Sequence, residues 1–465
     1  MGVRSTLVTR KAQRRERSFR TRVRFIRALA PAQVIVIGFG LTALVGATLL
    51  WLPISSVDGS ASIVEALFTA VSALCVTGLV VVDTAVHWSP FGLGVILALI
   101  QLGGLGIMVF AAMVGIVLAR RVSVRTRMNT ALETKSAGLP DVGRLVRNIV
   151  RTSLTIEAVL AALLAARFAF GYGYDAPKAV WHGVFHSVSA FNNAGFALYS
   201  DSMVRFVADP WITLPMCAAI VLGGLGFPVL RELAREWRKP LHWSMNTRIV
   251  LPVTAALLLI GWLAIAVIEW NNPRTLGAES GWTRVLAALF HSVQTRTAGF
   301  NSIDVGAMHD ETWLIMDVLM FIGGGPGGTA GGIKVTTFAV LFFILVTELR
   351  GGTAVNIFGK RLARSVHRQA IAVVLLSLAA VMGATVAILA MTDLDLDRVL
   401  FETISAFATV GLSTGITGDL PAAGQLCLVV LMFLGRIGPL TLGSALALRE
   451  RRASYELPKE RPVIG

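Results

Sequence analysis

Charged residues are scarce in this sequence: Asp, Glu, Lys and Arg make up 15% of its 465 residues, whereas a soluble domain usually carries about 25%. Cysteine is also rare, and Cys75, Cys217 and Cys427 lack the spacing of a metal site, so we expect no disulfide and no zinc. The sequence contains no GxxxxGK[ST] loop for a nucleotide. These shortages argue against a soluble domain, a zinc protein and a nucleotide-binding protein.

Long apolar runs are what the sequence has instead. Runs of about 20 residues suffice for a membrane-spanning helix, and such runs occupy 33–52, 91–118, 249–267 and 370–391. Length alone would suggest two or three soluble domains. The apolar runs predict a single membrane-embedded bundle.

The positive charge is distributed unevenly along the chain. The net charge is +15, and most of the 42 Lys and Arg lie in 1–32, 119–151, 231–248, 350–368 and 449–465. Every second segment between apolar runs is therefore basic, as the positive-inside rule requires of cytoplasmic segments. This pattern predicts that both termini are cytoplasmic. It argues against nucleic acid as the partner, and it favours membrane lipid as the contact of the basic N-terminal segment.

One phrase occurs four times. It reads FTAVSALCVTG at 68–78, FHSVSAFNNAG at 185–195, FHSVQTRTAG at 290–299 and FETISAFATVG at 401–411. Successive phenylalanines are 117, 105 and 111 residues apart, and apolar spans flank every copy. The repetition predicts an all-α membrane protein with eight transmembrane helices in four helix–pore-loop–helix repeats around a central pore. The repeats cover 33–118, 149–230, 248–347 and 369–447, between a cytosolic N-terminal segment 1–32 and a cytosolic tail 448–465.

Each phrase has the composition of a re-entrant element. It is too short to cross a bilayer, its first half suits a helix, and its glycine-terminated second half suits a loop. A short helix points its partially negative C-terminal end at the pore centre, and the loop can offer carbonyl oxygens in place of an ion's water. The four phrases carry no matched ring of carboxylates and no cluster of Asp, Glu and His. They therefore favour a monovalent cation over a divalent one and argue against a membrane-embedded enzyme.

These phrases resemble the four pore loops of the Trk/Ktr/HKT superfamily of potassium transporters. The resemblance extends over nearly the whole chain, which is more similar to the Ktr type than to the longer Trk type. It implies potassium uptake, with K⁺ held at the carbonyls of a selectivity filter. Glycine ends all four loops, as in the potassium-selective members. The implied filter residues are Val76, Thr77 and Gly78, Asn193, Ala194 and Gly195, Thr297, Ala298 and Gly299, and Thr409, Val410 and Gly411.

Segment 323–334, GGGPGGTAGGIK, resembles the intramembrane gating loop of the same superfamily. With seven glycines and one proline in twelve residues, it must break its helix. The implied gate residues are Gly323, Gly324, Gly325, Pro326, Gly327, Gly328, Thr329, Gly331, Gly332, Lys334 and Arg436. Arg436 carries a charge within the last span and is therefore expected to face the pore. The alternatives are a static kink for the segment and, for Arg436, a side chain that reaches toward the cytosolic interface.

Two weaker signals accompany the phrases. Glycine-rich stretches occur at matching places in the second spans, reading GGLG at 103–106, GGLG at 223–226, GGGPGG at 323–328 and GRIG at 435–438. Close helix packing is the competing explanation for the first two. His186 and His291 follow the phenylalanine of their phrases, and we expect them to bond other side chains rather than a metal. Arg296 is expected to brace the third loop.

The resemblance also implies an assembly. It predicts a homodimer in the bacterial inner membrane, regulated by a cytosolic ring of nucleotide-binding, RCK-type subunits. The transported ion is K⁺, Na⁺ is an open candidate for an activator, and the chain binds no other cofactor. An ion-coupled carrier for another small solute is the alternative function.

Overall fold

The computed structural model describes residues 31–109, 142–352 and 354–438. The predicted N-terminal segment up to residue 30, most of the basic loop between the first two repeats and the tail 448–465 lie outside these residues. Residues 110–118 of repeat 1 and 439–447 of repeat 4 lie outside them as well. All four phrases and segment 323–334 lie within the described residues.

Helices make up most of the described chain. In chain order they are α1 (Pro31–Trp51), α2 (Ile63–Cys75), α3 (Thr84–His87), α4 (Pro90–Val109), α5 (Val142–Tyr172), α6 (Ala176–Phe191), α7 (Pro210–Leu225), α8 (Phe227–Glu236), α9 (Met245–Glu269), α10 (Gly281–Gln294), α11 (Asp310–Phe321), α12 (Val335–Leu349), α13 (Arg364–Leu389), α14 (Leu396–Ala408) and α15 (Ala422–Ile437). Short 3-10 turns occupy Pro53–Ser55, Val204–Phe206, Pro240–His242, Leu276–Ala278, Val305–Ala307 and Thr417–Asp419.

Several helices have the length and composition of membrane spans. α4, α5, α9 and α13 are each long and apolar enough to cross a bilayer, and α7 with α8 forms a fifth candidate that is bent by 102°. α1, α12 and α15 are shorter apolar helices within the described residues. The chain is thus a largely helical membrane protein, and the number of eight spans stays a prediction.

The first half of each phrase forms a helix, and we call α2, α6, α10 and α14 the phrase helices. Each phrase helix contacts the long helix that precedes it in its repeat, namely α1, α5, α9 or α13. Phrase helices also contact the neighbouring repeat: α10 packs on α7, α14 on α11, and α2 on α15. The last contact joins the final described helix to the second one.

Local sequence explains where α2 begins and ends. Ser62 caps its start, since the Ser62 hydroxyl accepts from the Glu65 amide at 3.2 Å and the Glu65 carboxylate accepts from the Ser62 amide at 2.8 Å. This capping box satisfies two amides that the helix leaves free. Val76 ends the helix in the left-handed conformation, with φ +58°. The chain then turns abruptly into the loop that carries Gly78.

The second apolar stretch of repeat 2 does not form one straight helix. It bends by 102° between α7 and α8 at Gly226, whose φ is +91°, a conformation that suits glycine. A Cβ atom on Gly226 would lie 2.6 Å from the carbonyl oxygen of Pro326. The bend therefore lies directly against the interruption of repeat 3, where α11 ends at Phe321 and α12 begins at Val335.

A small hairpin departs from the all-α expectation. Strands β1 (Asn356–Ile357) and β2 (Lys360–Arg361) pair antiparallel between α12 and α13. Phe358 and Gly359 form the turn, with φ of +49° and +74°, as a two-residue hairpin turn of type I′ requires. Val355 and Ile357 are buried in one cluster with residues of α9 and α12, and this packing fixes the hairpin against the bundle.

Candidate functional site

The second halves of the four phrases share one unusual backbone. Six non-glycine residues of the described chain have a positive φ, and four of them are Val76, Asn193, Thr297 and Thr409, with values of 52° to 68°. Each stands two residues before the terminal glycine of its phrase, and the glycine also has a positive φ. We call these glycines, Gly78, Gly195, Gly299 and Gly411, the loop glycines. L-residues rarely adopt this conformation, so its recurrence marks four equivalent loops.

The loop glycines are neighbours in space and form a closed ring. A Cβ atom on Gly78 would lie 3.0 Å from the Cα of Gly195, one on Gly195 would lie 3.0 Å from the Cα of Gly299, and one on Gly299 would lie 3.1 Å from the Cα of Gly411. A Cβ atom on Gly411 would lie 3.1 Å from the Cα of Gly78. Four segments more than 100 residues apart in sequence thus converge on one point.

Carbonyl oxygens fill the space between the loop glycines. A side chain on any of them would collide with the carbonyl oxygen of the residue that precedes the glycine of an adjacent loop. For Gly195 the hypothetical Cβ would lie 2.9 Å from the oxygen of Ala298. The corresponding oxygens for the other three belong to Ala194, Val410 and Thr77. The centre of the ring is therefore surrounded by peptide carbonyls and has no room for side chains at these glycines.

One residue of each phrase helix forms a hydrogen bond that holds the following loop in place, a role that the sequence analysis does not predict. It is the fifth residue of each phrase, occupied by Ser72, Ser189, Gln294 and Ser405. Ser72 accepts from the Gly78 amide at 3.1 Å and donates to the Leu79 carbonyl at 2.7 Å. The other three make one corresponding bond each, to Phe196, Phe300 and Gly411. A polar residue that recurs at one position of a buried helix is the sequence feature from which this role could have been predicted.

The second position of the phrase braces the chain beyond the loop. His186 accepts from the Leu198 amide at 3.2 Å, and His291 accepts from the amides of Ser302 and Ile303 at 3.2 and 3.3 Å. Glu402, at the same position of the fourth phrase, accepts from the Thr417 hydroxyl. The expectation that the histidines bond side chains is therefore wrong, because both accept from backbone amides. Within the described residues no group of three His, Cys, Asp or Glu could hold a metal.

The glycine-rich segment 323–334 lies beneath this ring, in contact with repeats 2 and 4. The Thr329 hydroxyl donates to the Asn193 side chain at 3.2 Å, and the Thr329 amide donates to the Gly223 carbonyl at 3.1 Å. Gly325 donates to the Gly224 carbonyl at 2.8 Å. A Cβ atom on Gly331 would collide with the hydroxyl oxygen of Thr409. The segment thus touches the second and fourth loops and is bonded to the end of α7.

Arg436 joins this segment to two helices. Its guanidinium donates to the Thr329 carbonyl and, at 3.0 Å, to the Gly103 carbonyl of α4. Arg436 is 4% exposed, and neither bond goes to a carboxylate. Its burial excludes a side chain that reaches toward the membrane interface. Lys334 instead donates to the Ala330 carbonyl at 2.6 Å, within the segment.

Arg296 binds the opposite end of the segment. It occupies the seventh position of the third phrase, where the other phrases have Leu or Phe. Its guanidinium donates to the Leu319 carbonyl at 2.8 Å and to the Gly323 carbonyl at 3.3 Å. Its own carbonyl accepts from the Asn193 side chain at 3.2 Å. Arg296 therefore braces both the third loop and the start of segment 323–334.

Glycines of the second spans permit close contact with the phrase helices. A Cβ atom at Gly103, Gly223 or Gly435 would collide with the carbonyl of the seventh phrase residue, which is Leu74, Phe191 or Phe407 respectively. Close packing therefore explains these three glycines. Gly323 differs, since its hypothetical Cβ would collide with the Gly331 carbonyl of its own segment.

An open cavity of about 460 Å³ lies on one side of the ring. The four loop glycines form its floor, and Asp83 and Asp304 are among the residues of its wall. On this side a cation would meet carboxylates before the carbonyl-rich centre.

A buried polar cluster lies behind the second loop, and the sequence analysis does not predict it. Glu157 of α5 is 4% exposed and accepts from Gln101 of α4 at 3.0 and 3.1 Å and from Asn192 at 3.0 Å. Asn192 directly precedes Asn193 of the loop. Placing a carboxylate in an apolar span costs several kcal/mol of free energy unless the carboxylate is hydrogen-bonded. A glutamate within the apolar stretch is therefore the sequence feature that could have indicated this cluster.

Comparison with known proteins gives a consistent picture. A family model described as TrkH, cation transport protein, matches residues 6–450. Ktr system potassium uptake protein B of Vibrio alginolyticus is 41% identical over 437 residues, which cover 93% of this chain and 94% of that protein. Its Bacillus subtilis counterpart is 39% identical over 424 residues, covering 90% and 94%. The crystal structure of the potassium transporter TrkH from Vibrio parahaemolyticus has a TM-score of 0.73 at 18% identity, covering 90% of this chain and 86% of that one. The chain belongs to the TrkH family of cation transport proteins.

Proposed function

We propose that this protein takes up potassium across the cell membrane through the ring of loop glycines. Its family is a cation transport family, which confirms the prediction of a transporter rather than an enzyme. Two relatives at about 40% identity are named potassium uptake proteins. The observation that carries the proposal is the closed ring of four glycines with peptide carbonyls between them.

Backbone geometry supports a filter role for the four loops. In each loop the first and third residues have positive φ and the middle residue does not. Such alternation turns successive carbonyl groups to one side of the chain, and rings of carbonyls replace the hydration shell of K⁺ in selective filters. The filter residues are the twelve of 76–78, 193–195, 297–299 and 409–411. K⁺ is the transported ion, and Na⁺ as an activator remains part of the proposal.

Segment 323–334 would act as the gate on the other side of the filter. It is non-helical, and non-helical backbone at membrane depth must be buried in protein or line a water-filled path. Its contacts with Asn193 and Arg436 hold it below the loops. Arg436 would stabilise the closed position and repel cations there.

The larger assembly is also part of the proposal, and the names of two relatives support it. Two relatives are named as proteins of a Ktr system, and a system implies a further component. We infer a cytosolic nucleotide-binding ring, a homodimeric membrane part and location in a bacterial inner membrane with both termini cytoplasmic. Eight spans in four repeats around one pore complete the architecture. Basic residues beside the cytosolic ends of the spans support this orientation.

Rescue and flux measurements test the function. Expression of the full chain should restore growth of a potassium-uptake-deficient bacterium at low K⁺. Purified protein in liposomes should carry K⁺ down its gradient, driven by about 2.3 kcal/mol per charge for each 100 mV. Uptake of a sugar or an amino acid by the same liposomes, without K⁺ flux, would instead favour the ion-coupled carrier.

A further inference from the structure

A basic cavity lies at the turn between α12 and α13, away from the four loops. It has a volume of about 760 Å³ and is lined by the end of α12, the β1–β2 hairpin and the start of α13. Arg361, Arg364 and Arg368 line it together with His367, and Glu348 is the one acidic residue among the lining residues. The cavity therefore concentrates positive charge.

The side chains of these three arginines have no partner among the described residues. Their side chains take part in none of the hydrogen bonds or ion pairs between described residues, whereas Arg167 and Arg205 each pair with an aspartate and Arg296 and Arg436 each bind carbonyls. Three guanidinium groups around one cavity repel each other unless an anion lies between them. The guanidinium fork matches phosphate oxygens in a bidentate manner, so a phosphate group is the anion that this arrangement suits.

The surroundings of the cavity indicate which molecule carries the phosphate. On α12 the side chains of Phe342, Leu345 and Leu349 are 53%, 55% and 79% exposed, and on α13 those of Ile371 and Leu375 are 44% and 60% exposed. In a membrane protein such exposed apolar faces contact acyl chains. A basic cavity directly next to two apolar faces fits a molecule with a charged head and apolar tails.

We propose that the basic cavity binds the phosphate group of an anionic phospholipid whose acyl chains lie along α12 and α13. The hairpin that carries Arg361 is fixed by the packing of Val355 and Ile357, so the site is formed before the lipid arrives. Clusters of Lys and Arg at the cytoplasmic end of spans attract anionic lipid in general. The cavity adds a defined place for one headgroup. This proposal does not depend on the identity of the transported ion.

Native mass spectrometry of the purified full-length protein tests the proposal. The wild type should retain phosphatidylglycerol in preference to phosphatidylcholine. The variant with Arg361→Gln, Arg364→Gln and Arg368→Gln should bind phosphatidylglycerol about tenfold more weakly, because several charge-assisted bonds are lost. The matched control changes Arg235, Arg238 and Lys239 to Gln, which removes the same charge from exposed positions at the end of α8. Equal loss in both variants would overturn the proposal, since it would indicate a general charge effect.

Two further measurements separate the outcomes. A photoreactive phosphatidylglycerol in wild-type protein should attach within residues 342–375, and attachment spread over all spans would contradict the site even if the triple variant does not fold. Inorganic phosphate should bind the detergent-purified protein much more weakly than phosphatidylglycerol does. Equal binding would show that free phosphate, and not a lipid, is the ligand.

Discussion

The guanidinium of Arg436 donates a hydrogen bond to the carbonyl of Thr329, which lies 107 residues earlier in the chain. The same guanidinium binds the Gly103 carbonyl at 3.0 Å. One buried cation thus connects repeat 4, repeat 1 and segment 323–334. Replacing Arg436 with Ala removes these bonds from the proposed closed gate.

Arg436→Ala should therefore raise basal K⁺ flux in liposomes by about tenfold, the change expected when bonds worth roughly 1.4 kcal/mol stabilise one state only. Arg436→Lys retains the charge but loses the two-pronged geometry, and it should give an intermediate flux. Wild-type flux in the alanine variant would mean that Arg436 does not stabilise a closed state.

Deletion of residues 324–331 should raise basal flux further, because it removes the whole obstruction rather than one of its bonds. Size-exclusion chromatography and circular dichroism should establish that the variant is folded. Loss of flux in a well-folded variant would contradict a gating role for the segment.

Gly78→Ser and Gly299→Ser should each weaken the discrimination of K⁺ over Na⁺, measured as the permeability ratio from reversal potentials. Both glycines have positive φ, and a Cβ atom at either would displace a carbonyl of an adjacent loop. Gly383→Ser is the matched control, because a Cβ atom there meets nothing within 4 Å. If serine variants of all four loop glycines keep the permeability ratio of the wild type, the loops are not the selectivity filter.

Ser405→Ala should also lower the permeability ratio, although no atom of the ring itself changes. Ser405 accepts from the Gly411 amide at 3.1 Å, so the variant leaves that buried amide without a partner. Thr42→Ala removes a hydroxyl that binds only its own helix, at Gly38, and should leave selectivity unchanged. An equal effect of the two changes would argue against a specific bracing role for Ser405.

Glu157 and Gln101 should be energetically coupled. A double-mutant cycle with Glu157→Ala and Gln101→Ala should give a coupling energy of about 1–2 kcal/mol in unfolding experiments. The reason is that the Gln101 amide contacts both carboxylate oxygens, at 3.1 and 3.0 Å. Additive effects would mean that the two residues do not act as a unit.

The sequence predicted the features that repeat or that break local rules. Recurrence of the phrase identified four loops, and the glycine content of 323–334 predicted an interrupted helix. The sequence does not predict the bend at Gly226, because GGLG at 223–226 is equally typical of a straight helix that packs closely on its neighbour. Only the contact of Gly226 with Pro326 distinguishes a bend from close packing. The partners of Arg436 could not be predicted, since Thr329 and Gly103 are far away in sequence and offer backbone carbonyls, which every residue has.

The polar bracing residues illustrate the same limit. The recurrence of serine at positions 72, 189 and 405 can be read from the sequence. The groups that these serines bond cannot, because they are backbone groups of the following loop. The shared Phe-His-Ser context of His186 and His291 predicts a common role for them, but their partners are backbone amides and not the expected side chains. Side-chain types indicate that a bond is needed, and the fold decides which group provides it.

An anomalous-difference map of crystals soaked in Tl⁺, which substitutes for K⁺, tests the central claim most directly. The account predicts ordered peaks on the axis enclosed by Gly78, Gly195, Gly299 and Gly411, within coordinating distance of the loop carbonyls. A map with well-ordered protein and no peak between the four loops would contradict it.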